Sequence, residues 1–190
     1  MTKRKTRIHF TLYTSNSIRY NDIHKLVKLY SSFEYIKSNK LLTKNDTSYF
    51  DSVNIDMDDA TAVLAINYLS DFLYRYYGKK VLIFVDEYDT PLLESYLNGC
   101  WSEKTAFIRS LFNSTFKTNS NLERALLTGI TRISKESIFS DLNNLEIVTT
   151  ISHKYETAFG FTEEEVAVAL AEFELSDQME KVKYWYDGFH

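Results

Sequence analysis

Two hydrophobic periods alternate along this chain. Val81 to Val85 is an unbroken apolar run between Lys79-Lys80 and Asp86-Glu87, which predicts a strand buried on both faces. Ala125 to Ile130 predicts a second buried strand, and Ile8 to Leu12 a short one behind a basic tip. Ile23, Leu26, Val27, Tyr30, Phe33 and Ile36 share one helical face behind Asn21, a good N-cap. The polar stretch 38–48 reads as a loop. Asp58 or Asp59 then caps a helix through Val63, Ile66, Leu69, Leu73 and Tyr76, and Gly78 ends it. Phe107, Ile108, Leu111 and Phe112 mark a further helix, and Asn119 to Asn121 a turn. Thr162 and Glu165 form a capping box ahead of Val166, Ala169, Leu170 and Phe173.

Strands that alternate with helices predict the α/β class: a parallel sheet with helical crossovers, whose ligands gather at the carboxyl ends of the strands. Those ends are expected at Asp86-Glu87 and at Thr131-Arg132.

Composition narrows the function classes. With 190 residues, 44% of them hydrophobic, the chain can bury one sizeable core. A formal charge of -4 argues against a broad electrostatic grip on nucleic acid. The lone Cys100 cannot form an internal disulfide, and no apolar run approaches the roughly 20 residues of a membrane span. A reducing, cytoplasmic setting without membrane contact is expected.

Two adjacent carboxylates at the end of a buried parallel strand need a partner, because an unpaired buried charge loses much solvation. Mg²⁺ is one partner. In nucleotide hydrolases of the Walker type the first acid holds the metal and the next can polarise the attacking water. Asp86 and Glu87 fit those roles, and a solvated strand end is the alternative.

The surrounding residues resemble a known family. Val81-Leu82-Ile83-Phe84-Val85-Asp86-Glu87-Tyr88-Asp89-Thr90-Pro91-Leu92 is similar to the "LIDEYDKPL" signature of the AAA-ATPase-like family, often fused to a PD-(D/E)XK nuclease-like domain. Leu127-Thr128-Gly129-Ile130-Thr131-Arg132, the segment Ser137 to Leu145, Phe159 to Val166 and Trp185-Tyr186-Asp187-Gly188-Phe189 follow in the family's order. The resemblance implies an incomplete P-loop NTPase-like (AAA/ASCE) parallel sheet over residues 1–150, with the start of a helical lid over 151–190. It places Asp86 and Glu87 in the Walker B positions, with Asp86 holding Mg²⁺ and Glu87 acting on water. It places Thr128 to Arg132 at the end of a sensor strand. There Thr128 would contact nucleotide, and Thr131 and Arg132 would join catalysis. A salt bridge from Arg132 to Asp86 or Asp89 is an equal alternative. Tyr88 and Asp89 belong to the signature without a derived role.

ATP and Mg²⁺ are thus the implied cofactors. A phosphate-binding loop ends in Gly-Lys-[Ser/Thr], whereas the Gly-Lys here is Gly78-Lys79-Lys80, with Leu73 where the first glycine belongs. The loop is expected upstream of Met1, leaving this chain inactive alone and its sheet open to self-association. No Asp or Glu stands two residues before a Lys, so the nuclease-like [Asp/Glu]-x-Lys core cannot form. The alternatives are a non-catalytic interaction module on the same fold, or a nucleic-acid processing factor acting through a fused nuclease-like domain. His9, His24, His153 and His190 lack paired metal-ligand spacing, and Cys100 reads as a plain small residue.

Overall fold

A computed structural model describes residues 7–11, 18–38, 41–130, 138–139, 142, 144–149, 151–155, 157–158 and 160–186. It divides into two compact units, residues 1–145 and 146–190.

The first unit opens with β1 (Arg7–Thr11) and α1 (Ile18–Ser31), which passes into a 3₁₀ turn over Glu34–Ser38. The helix therefore starts ahead of Asn21. The stretch expected as a loop instead holds the start of α2 (Lys44–Ser52). Thr43 caps it in a reciprocal box with Asp46, a local signal that outweighs the polarity of the segment. α3 (Asp59–Tyr77) begins where Asp58 accepts from Thr61 N–H at 2.8 Å, and stops at Gly78, whose φ of 64° suits a residue without Cβ.

β2 (Val81–Asp86) is followed by α4 (Thr90–Leu97), a helix signalled by Pro91 in its first turn. α5 (Trp101–Phe112) then loosens into a π turn over Asn113–Lys117 before β3 (Leu122–Leu127). The second unit holds α6 (Glu163–Glu172), capped by the expected Thr162–Glu165 box, and α7 (Met179–Tyr186).

The three strands are parallel in the order β1-β2-β3, with Ile8 opposite Ile83 and Ile83 opposite Ala125. Two right-handed crossovers taken in the same direction put both helical connections on one face of the sheet. Burial follows that geometry. Val81, Ile83 and Val85 are fully covered, together with Ile66, Leu69 and Leu73 of α3. Leu82 and Phe84, on the other face, are only half-buried, so β2 is not closed on both sides as its continuous apolar run implied. With Arg124 and Leu126 they line an open groove of about 400 Å³.

β3 departs further from expectation. It begins at Leu122, three residues before the predicted start, because pairing with β2 sets in directly after the Asn119–Asn121 turn, where Val81 N–H donates to Asn121 O at 2.9 Å. It is also an exposed strand, with Leu126 at 54% accessibility, since β2 covers one edge of it and the described residues put no strand on the other.

No helix among the described residues is long and apolar enough to cross a membrane.

Candidate functional site

The early end of β3 decides the site. Val85 is opposite Leu127, so the residue at the carboxyl end of β3 is Thr128, directly beside Asp86. Backbone bonds continue past the strand: Thr128 N–H donates to Val85 O at 2.8 Å, and Tyr88 N–H donates to Thr128 O at 3.0 Å. They turn the Thr128 hydroxyl onto Asp86 Oδ1, to which it donates. Glu87 N–H donates to the same oxygen at 3.1 Å.

Asp86 is exposed at the central strand's carboxyl end. Glu87 follows it in the left-handed region, with φ 54°. For a residue with a Cβ that conformation costs about 1 kcal/mol or more, and such strain gathers at functional sites. The turn holds the first of the two acids, Asp86, against the end of β3.

These residues fit a hard cation. Both donors among the described residues, the Thr128 hydroxyl and Glu87 N–H, converge on Oδ1, so Oδ2 is the oxygen a Mg²⁺ would take, and Mg²⁺ asks for only one or two carboxylates besides water and phosphate. Among the described residues, no group of three or more His, Cys, Asp and Glu is arranged around a metal. The phosphate side of a nucleotide does not fit. Gly78, Lys79 and Lys80 precede β2 and stand at the opposite end of the sheet, about 20 Å from Asp86 at strand rise. They form a helix C-cap and a strand entry.

Among the described site residues, Asp86, Glu87 and Thr128 come together. Thr131 and Arg132 lie outside the described residues, as do Asn143 and residues 187–190. The Ser137 to Leu145 motif supplies core instead: Ile138, Phe139 and Leu142 are buried. Two residues beside the site, Asp89 and Gly129, carried no derived catalytic role in the sequence. Asp89 is fully buried, and Gly129 packs so tightly on it that a Cβ would fall on its Oδ1, 2.8 Å from its Cγ and 2.9 Å from Tyr88 Cε1. A glycine inside an apolar strand signature is the signal for such a close approach.

Comparison with known proteins places the chain in a family. The family model described as "Predicted AAA-ATPase" matches residues 7–139, from β1 through the site. The chain belongs to the AAA-ATPase-like family. An uncharacterized protein encoded in the vnfD 5′ region of Azotobacter chroococcum mcd 1 is 29% identical over 114 residues, which cover 60% of this chain. The chain spans 22% of that relative's length. No solved structure matches the chain.

Proposed function

We propose that this AAA-ATPase-like chain contributes the metal-and-water half of an ATP-hydrolysing site, with the phosphate cradle supplied by other polypeptide. The observation that carries it is the exposed Asp86 at the carboxyl end of the central parallel strand, held by Thr128 from the next strand and followed by a strained Glu87. Mg²⁺, when bound, would neutralise charge on the phosphate oxygens. Asp86 would hold it through Oδ2, Thr128 would fix the carboxylate, and Glu87 would accept a proton from the attacking water. Thr131 and Arg132 follow in sequence and would serve as sensor groups toward the γ-phosphate. Residues 151–190 would begin a helical lid, in a cytoplasmic protein.

The experiment is Mg²⁺-dependent ATP turnover by a polypeptide carrying these residues downstream of a Gly-Lys-[Ser/Thr] loop. Glu87→Gln should lower turnover about 10²-fold or more while ATP still binds. Parental turnover in that variant would return Asp86-Glu87 to a solvated strand end and favour a non-catalytic interaction module.

A further inference from the structure

Tyr88 and Asp89 directly follow the acidic pair, and hydrolysis as read above gives neither a task. Their surroundings do. Asp89 is fixed at the start of α4, where its carbonyl accepts from Leu92 N–H and Leu93 N–H at 3.0 Å each. Its carboxylate makes no cap bond to that helix and lies fully buried against Gly129. The Tyr88 ring lies against the same Cβ position of Gly129. It meets Phe139 edge-on with centroids 5.3 Å apart, and Phe139 stacks at 10° on Phe112 of α5, 5.9 Å away. The Cβ position of Gly129 is therefore crowded by two side chains, one at the start of α4 and one packed toward α5 through Phe139, and close packing of this kind leaves little freedom to shift. Its neighbour Thr128 is the residue whose hydroxyl reaches Asp86.

We propose that Tyr88 and Asp89 are positioning residues that clamp Gly129 and thereby hold the Thr128 hydroxyl on Asp86. The carboxylate is then oriented before any cation arrives, which is what a site needs to avoid reorganising at the moment of binding. The clamp works by shape: it requires the bulk of residue 89 and the absence of a Cβ at residue 129. Its purpose rests on the reading of Asp86 as a metal ligand, and its geometry does not.

Carbon-13 NMR of residues 1–190 at one pH, without metal or nucleotide, tests the clamp through the Asp86 carboxylate resonance. Thr128→Val removes the donor and sets the reference displacement, and Thr128→Ser should restore the parental position. Gly129→Ala and Asp89→Ala should both displace the resonance in the Thr128→Val direction. Exchange of the Thr128 and Tyr88 amides should rise about tenfold while the Ile83 and Leu69 amides keep their parental protection, separating a local release from unfolding. Asp89→Asn keeps the shape and should stay at the parental position.

An Asp86 resonance unmoved in Thr128→Val, or parental in Asp89→Ala with the core protected, overturns the proposal. So does an Asp89→Asn displacement as large as that of Asp89→Ala. Should Gly129→Ala lose core protection, the Asp89→Ala/Gly129→Ala pair, which makes room for the methyl, should regain it; failure to do so counts against the clamp. Because neither metal nor ATP enters the measurement, a failed clamp leaves the hydrolase reading standing, and absent hydrolysis leaves the clamp standing.

Discussion

The Thr128 hydroxyl, one residue beyond β3, donates to the Asp86 carboxylate at the last position of β2. The bond joins two strand ends that lie 42 residues apart in sequence. It gives the acid a neighbour that orients one oxygen without neutralising its charge, and a metal-binding carboxylate needs both.

Asp86→Asn should therefore differ from Glu87→Gln in kind. Loss of the anionic oxygen weakens the metal shell, so in a polypeptide that hydrolyses ATP the Mg²⁺ concentration for half-maximal rate should rise along with a fall in turnover of about 10²-fold. A magnesium titration at saturating ATP measures it, and an unchanged midpoint would remove Asp86 as the ligand.

Glu87→Gly should remove the candidate base and relieve the backbone at φ 54° in the same step. Glycine elsewhere in a strand end destabilises by roughly 0.5–1 kcal/mol through unfolded-state entropy, whereas relief of a left-handed Cβ offsets about as much. Urea unfolding should find the variant no less stable than the parent, and a loss above about 1 kcal/mol would argue against strain at Glu87.

Residues 1–190 alone should bind ATP weakly. The glycine-lysine pair that could suggest a phosphate cradle, Gly78-Lys79, stands at the far end of β2 from Asp86. Calorimetry should find no affinity tighter than about millimolar, so a micromolar constant would mean that phosphate is held by some other route.

Self-association should accompany the open side of the sheet. Leu126 at 54% and Ile130 at 94% accessibility, with half-buried Leu82 and Phe84, leave apolar area and an exposed strand. Light scattering should show mass rising with concentration, and Leu126→Lys should reduce it. A monomer that persists at high concentration would show that this surface is not adhesive.

Acid should weaken the contact between α2 and α3. Arg75 donates to Asp46 at 2.9 Å, and together with the Thr43 N–H and hydroxyl it holds that carboxyl at about 2. A depressed carboxylate stabilises the fold above its unfolded value, near 4, and loses that contribution as pH falls from there toward 2. Arg75→Met should cost on the order of 1 kcal/mol at neutral pH and flatten the acid limb of the stability profile between about pH 4 and 2. Thermal unfolding across that range would reveal it, and an unaltered acid limb would mean that the pair contributes nothing.

The sequence alone determined what depends on near neighbours. Gly78 ends α3 because only a residue without Cβ enters the left-handed region freely, and Thr162 starts α6 because its hydroxyl satisfies a helix amide three residues on. The continuous run from Val81 to Val85 marked β2 and put Asp86 at its carboxyl end. Thr43 and Pro91 carried equally local signals for α2 and α4, hidden by the polarity around the first and the lack of apolar period around the second. Tertiary structure decided the rest. Where β3 ends depends on hydrogen bonds to a strand some forty residues away, so only pairing could bring Thr128 beside Asp86. Which face of β2 is covered depends on the hand and direction of two crossovers, which the run of apolar residues does not encode. Gly129 and Asp89 acquire meaning only when the fold sets the Asp89 side chain against the glycine, because a missing Cβ is a requirement only where another atom occupies its place.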